Sequence, residues 1–81
     1  MTREEIISKS VDLLSEEFEV DPSIITDEAP LKETLGLDSL DLVDVVVLLD
    51  QEFGISVKAS DFVGVKTFSD FYNFIETRLN A

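Results

Sequence analysis

The chain of 81 residues contains no cysteine, no histidine and no tryptophan. Without cysteine the chain forms no disulfide and offers no thiol nucleophile, and without histidine it holds no imidazole-based catalytic triad. The absence of both residue types also excludes zinc sites built from Cys and His ligands. A chain this short supports one small core, so we expect a single domain over residues 1–81.

Basic residues are also scarce, since six Lys and Arg stand against eighteen Asp and Glu, for a net charge of −12. Between Ser10 and Val57 thirteen acids face Lys32 alone. Such a charge repels phosphate backbones and anionic membrane surfaces and favours basic protein partners. We therefore do not expect nucleic acid binding.

Long apolar runs are missing too, and none approaches the roughly 20 residues of a membrane span. Met1 is followed by Thr-Arg-Glu-Glu rather than by the pattern of a signal peptide. We expect a cytoplasmic monomer that does not insert into membranes. With 44% hydrophobic residues, the chain is apolar enough to fold despite its charge.

The hydrophobic spacing predicts helices. Thr2 and Glu5 have the spacing of a capping box, and a helix should follow and end near Phe18. Its predicted core residues are Ile7, Val11, Leu14 and Phe18. From Glu19 to Leu37, two prolines and Gly36 interrupt any regular period and predict a long connection, which carries function or short helical turns. This connection also contains six apolar residues that can pack it against the core: Val20, Ile24, Ile25, Leu31, Leu35 and Leu37.

A second helix should begin at Asp38, continue to Phe53 and end at Gly54. A short turn is predicted from Ala59 to Val63, closed by Gly64. The last helix should start at Thr67 and bury Phe68, Phe71, Tyr72, Ile75 and Leu79. The predicted fold class is all-α: a small four-helix bundle with a long loop between helices 1 and 2 and a short third helix.

The second helix has two apolar faces when residues are placed at 100° intervals. The first, suited to a core, contains Leu42, Val45, Val46, Leu49 and Phe53. The second consists of Leu40, Val43 and Val47, edged by Asp44, Asp50 and Gln51. This stripe either docks a partner with an apolar patch ringed by Arg and Lys, or is covered by the long loop; the spacing favours neither.

Ser39 lies at the start of this helix, between Asp38 and Leu40. It does not suit a hydrolase, because no histidine is available to take its proton. A phosphodiester on its hydroxyl would lie at a helix N-terminus, where free amides and the helix dipole favour negative charge, although Asp38 and Asp41 oppose it locally.

The segment Leu35-Gly36-Leu37-Asp38-Ser39-Leu40, followed by an acidic, apolar helix, resembles the phosphopantetheine attachment site of acyl carrier proteins. The resemblance extends over essentially the whole chain. It implies that a separate transferase, using magnesium, attaches 4′-phosphopantetheine from coenzyme A to Ser39. The arm would hold acyl groups as thioesters, and the chain itself would catalyse nothing. Asp38 matches the acid that helps to hold the metal during this transfer, and we expect no resident metal site.

In the resembled family, the helix after the serine is the main surface for partner enzymes. The implied partners are the phosphopantetheinyl transferase (holo-carrier synthase), acyl transferases, ketosynthases, reductases and dehydratases. The partner-binding positions implied here are Asp38, Leu40, Asp41, Val43, Asp44, Val47, Asp50 and Gln51. Gln51 departs from the family because a further acid is common at its position.

Several alternatives stay open at this stage. The chain could be an unmodified acidic adaptor for basic proteins or, within the carriers, a D-alanyl or peptidyl carrier; Leu37 before Asp38 favours fatty-acid or polyketide systems of separate enzymes. A calcium protein is a weaker alternative because no Asp-x-Asp-x-Asp-Gly loop occurs. Four phenylalanines in the last third either fill the core or reshape the space for acyl cargo: Phe62, Phe68, Phe71 and Phe74.

Overall fold

The fold is described by a computed structural model that covers residues 1–80. It contains four α-helices: α1 (Arg3–Glu17), the short α2 (Leu31–Leu35), α3 (Ser39–Phe53) and α4 (Phe68–Leu79). Two 3₁₀ segments, Pro22–Ile24 and Ala59–Gly64, lie before α2 and after α3. This helical architecture confirms the predicted fold class. The predicted second helix is α3, and the predicted short third helix is the segment Ala59–Gly64.

Helices α1, α3 and α4 each begin with a capping box. In α1 the Thr2 hydroxyl accepts the Glu5 amide at 3.2 Å, while the Glu5 carboxylate accepts the Thr2 amide at 2.9 Å. In α4, Asp70 accepts the amides of Lys66 and Thr67, and these bonds lower the pKa of its carboxyl. Asp70 therefore stays ionised at neutral pH and continues to accept these two amides at the start of α4.

The buried face of α1 differs from the prediction. Ile6, Ser10 and Leu14 are buried, whereas Ile7, Val11 and Phe18 are only partly buried. The prediction was wrong about the centre of this face because Ser10 occupies a core position and breaks the apolar pattern. Helix α1 packs mainly against α4. Arg3 joins the two helices at their edge through the Asn73 side chain at 2.7 Å.

The long connection is tied to the start of α4. The Leu31 amide donates to the Lys66 carbonyl at 2.8 Å, and the Ser69 amide donates to the Asp27 carbonyl at 2.9 Å. Ile25, Leu31 and Leu35 are buried from this segment, while Val20 and Leu37 are partly buried. The expectation for Ile24 was wrong, since its 3₁₀ turn leaves it exposed. The later part of the connection is therefore fixed against the start of α4, while the 3₁₀ segment Pro22–Ile24 contacts α1.

Aromatic rings fill the core beside α4. Phe62, Phe68, Phe71 and Tyr72 are buried, and Phe74 is partly buried. The ring centroids of Phe62 and Phe74 lie 5.5 Å apart, a favourable distance for an aromatic pair. Burial, with a smaller effect of Asp27, raises the pKa of Tyr72 to about 12, so its phenol is neutral at physiological pH. Phe62, Phe68 and Phe71 thus lie in the core, and Phe71 also lines a small cavity beside it.

Added salt is expected to stabilise this fold, because a net charge of −12 makes the compact state repel itself. The melting temperature should rise with sodium chloride through screening. Magnesium chloride at the same ionic strength should raise it further if Mg²⁺ binds the folded acids directly. Thermal melts at low salt, high salt and matched ionic strength measure both effects, and an unchanged melting temperature in all three would contradict this prediction.

Candidate functional site at the start of helix α3

Ser39 is the first residue of α3, and it is exposed. Asp38 caps the helix, because its Oδ1 accepts the amides of Leu40 at 2.9 Å and Asp41 at 3.0 Å. Asp41 in turn accepts the Asp38 amide at 3.1 Å. The acids on both sides of Ser39 are therefore engaged with the backbone, and the serine hydroxyl is accessible from solvent.

The turn before Ser39 depends on Gly36. Its φ of 67° is left-handed, a conformation that strains residues with a side chain, and it ends α2. The Leu37 amide then donates to the Lys32 carbonyl at 2.8 Å, and Leu37 packs partly into the core. This turn ends α2 two residues before the Asp38 cap and so fixes the point at which α3 begins.

The second apolar face of α3 is open to solvent. Leu40 is 75% exposed, Val43 52% and Val47 47%. The long connection does not cover these residues, because its backbone pairs with residues 66–69 and its buried side chains, Ile25, Leu31 and Leu35, enter the core. Of the two interpretations that the spacing left open, coverage by the loop is wrong. We call Leu40, Val43 and Val47 the apolar strip.

Polar residues border the apolar strip. Asp44, Asp50 and Gln51 are exposed, whereas Asp41 is half-buried within the capping box. With 1.5 Å rise per residue, the strip extends for about 10 Å along α3. All eight predicted partner-binding residues thus belong to one helix and its cap, and Ser39 begins this helix: Asp38, Leu40, Asp41, Val43, Asp44, Val47, Asp50 and Gln51.

Sequence reasoning did not single out Val63, which is 79% exposed in the 3₁₀ segment that packs against α3. The neighbouring Phe62 is buried. The sequence carried a signal that Val63 is exposed, because Val63 lies between this core phenylalanine and Gly64. In so short a turn only one of two adjacent apolar side chains faces inward.

Within residues 1–80, no three acidic side chains converge on a common point that would hold a metal ion. Over the same residues, the structure has no helix that is both long and apolar enough to cross a membrane.

The Asp38 cap should contribute measurably to stability. Asp38→Ala removes the acceptor of two amides and is expected to lower the free energy of unfolding by about 1 kcal/mol. Asp38→Asn should recover most of that loss, because asparagine also caps helices well. Asp44→Ala, which removes the same charge from the middle of α3, is the matched control. Urea denaturation of all three variants measures these differences, and equal losses for Asp38→Ala and Asp44→Ala would contradict the capping role.

Comparison with known families identifies the class of protein. A sequence model described as the phosphopantetheine attachment site matches residues 11–75, which include α3 and all of its exposed face. The fold, the exposed serine and this match define a phosphopantetheine attachment domain.

Individual relatives narrow the class. An acyl carrier protein of Thermotoga maritima is 45% identical over 78 residues, 96% of each chain. Acyl carrier protein 2 of Ralstonia nicotianae is 36% identical over the full length of both. A crystal structure of an acyl carrier protein from Thermotoga maritima superimposes with a TM-score of 0.77 at 27% identity, covering 96% of this chain and 91% of the other. The chain belongs to the acyl carrier protein family, a family of carriers whose cofactor is 4′-phosphopantetheine.

Proposed function

We propose that Ser39 is the residue that receives the arm. The observation that carries this proposal is the position of its hydroxyl, exposed at the first residue of α3 and directly after the Asp38 cap. In the transfer, a bond forms between Ser39 Oγ and the phosphorus that bears pantetheine in coenzyme A. The pyrophosphate bond breaks, the adenosine bisphosphate leaves, and the serine proton is released. The attached arm supplies a terminal thiol that carries acyl groups as thioesters.

Other serines fit this role less well. Ser10 is buried in the core, and the Ser15 hydroxyl donates to the Asp12 carbonyl at 3.2 Å. Ser23 is exposed and follows a capping aspartate, Asp21, but its helix is a 3₁₀ segment of three residues. Among the serines of residues 1–80, Ser39 alone begins an α-helix. Its surroundings fit the arm because they leave the hydroxyl accessible and fixed relative to α3.

We also propose that partner enzymes dock on the apolar strip. Its exposed residues and the acidic side chains beside it suit a partner whose apolar patch is rimmed by Arg and Lys. The charges would steer the encounter, and the strip would hold the complex. The partners are the phosphopantetheinyl transferase, acyl transferases, ketosynthases, reductases and dehydratases. Asp38 assists the first of these by helping to hold its magnesium.

In this proposal the chain acts as one carrier domain over residues 1–81 and catalyses no step itself. It would serve a fatty-acid or polyketide system of separate enzymes. The near full-length match to relatives named acyl carrier proteins supports this assignment over a D-alanyl or peptidyl carrier. It also disfavours an unmodified adaptor, because the matched family is described by its phosphopantetheine site.

The direct test is to incubate the purified chain with coenzyme A, magnesium and a phosphopantetheinyl transferase, and to measure its intact mass. A carrier gains one arm and one free thiol, which a thiol reagent detects in a chain that has no cysteine of its own. An adaptor keeps its original mass. Peptide mapping of the product then locates the modified residue, and an arm on any residue other than Ser39 would contradict the proposal.

A further inference from the structure

Ser10 is a polar residue in an apolar place. It is 1% exposed, on the core face of α1, and its hydroxyl has no hydrogen-bond partner within residues 1–80. A buried hydroxyl without a partner destabilises a fold, whereas alanine at such a position leaves nothing unsatisfied. The hydroxyl therefore lowers the stability of the fold without cargo, and a function that uses the hydroxyl would account for its presence.

Ser10 lines a small cavity between α1, α3 and α4. The other lining residues are all apolar: Leu13, Leu14, Val45, Leu48, Leu49, Phe53 and Phe71. The cavity volume is about 10 Å³, close to the least that one water molecule needs. A water there would find one polar side chain, although buried waters ordinarily make two to four hydrogen bonds. The lining thus suits an apolar occupant that brings a single polar group.

Helix α3 contributes residues both to the cavity lining and to the proposed attachment site. Val45 and Leu49 lie on the core face of that helix, and Ser39 begins it. Leu13 of α1 and Leu48 of α3 are the two half-buried residues of the lining. An alkyl chain carried by the arm would enlarge the cavity by displacing such side chains, and its carbon atoms would prefer this lining to water.

We propose that Ser10 is a specificity-determining residue that favours acyl cargo with a hydroxyl or keto group along its chain over fully reduced cargo of the same length. The Ser10 hydroxyl donates to a keto oxygen or exchanges a hydrogen bond with a cargo hydroxyl, and either bond satisfies both partners. A fully reduced chain leaves Ser10 unpaired. This inference rests on the proposed function of Ser39, because the cargo reaches the cavity on the arm.

The test compares the thermal stability of loaded proteins. The arm-bearing chain is loaded with a saturated acyl group, and separately with equally long groups that carry a hydroxyl or keto group near the thioester or further along. When the oxygen lies at the position along the chain that reaches Ser10, the protein loaded with this cargo should melt about 4 to 8 °C higher than the protein loaded with saturated cargo. This is the size expected for one hydrogen bond in so small a domain. Ser10→Ala should remove this difference and should raise the melting temperature of the unloaded chain.

Two further variants sharpen the comparison. Ser8→Ala removes an exposed hydroxyl from the same helix and should keep the difference in melting temperature between the proteins loaded with oxygenated and with saturated cargo. Ser10→Cys nearly preserves the shape but donates weakly, so it should reduce the difference. The inference is overturned if loaded wild type melts alike with every cargo, if Ser10→Ala keeps the preference, or if Ser10→Ala destabilises the unloaded chain. Failure to attach the arm at all would instead contradict the proposed function.

Discussion

Replacing Ser39 with alanine is expected to abolish the gain of the phosphopantetheine arm completely, while the chain remains folded. The variant removes the only oxygen at this position that can bond to phosphorus. It leaves the capping bonds in place, because these involve the side chain of Asp38 and the amides of Leu40 and Asp41. Alanine also favours helices. Intact mass after incubation with transferase and coenzyme A measures the loss, and circular dichroism checks the fold.

Ser23→Ala is the matched control for this experiment. Ser23 is exposed, lies in the first turn of a helical segment and follows a capping aspartate, as Ser39 does. This control should gain the arm at the wild-type rate. An arm on Ser39→Ala, or its loss from Ser23→Ala alone, would show that the assignment to Ser39 is wrong.

The sequence predicted α3 and its surroundings well because local chemistry determines them. Asp38 and Asp41 have the spacing of a capping box, and Gly54 adopts the left-handed conformation that ends the helix. Both signals act within a few residues, so they can be identified without knowledge of the tertiary fold. The exposed position of Ser39 follows from the same cap.

The exposure of the apolar strip and the burial of Ser10 could not be predicted from the sequence, because both depend on tertiary packing. The spacing could not say whether the apolar strip is covered, because the answer depends on backbone bonds between the long connection and the start of α4. The inward position of Ser10 was missed for a related reason. A serine is expected on a polar face, and only the packing of Ile6 and Leu14 against the rest of the core places it inside. Its unpaired hydroxyl is visible only in three dimensions.

Truncating the apolar strip is expected to weaken partner binding mainly by faster dissociation. Val47→Ala removes two methyl groups from a side chain that is 47% exposed in the free protein and would be covered in a complex. If this residue is an anchor, the loss is on the order of 1 kcal/mol, or about fivefold in the dissociation rate. Ile24→Ala truncates a side chain that is equally exposed, at 47%, but lies in the 3₁₀ segment Pro22–Ile24 outside α3, so this matched control should change dissociation little. Surface plasmon resonance with the transferase measures both rates.

Charge reversal beside the strip should act on association instead. Asp44→Lys changes the long-range field that guides a basic partner toward α3, so it should slow association and flatten its dependence on salt. Asp12→Lys is a suitable control, because Asp12 is exposed in the middle of α1 and the change in net charge is the same. Glu76 is less suitable, since it pairs with Arg3 at 3.4 Å. If Asp12→Lys slowed association as much as Asp44→Lys across a series of salt concentrations, net charge alone would control the encounter, and α3 would not be the docking face.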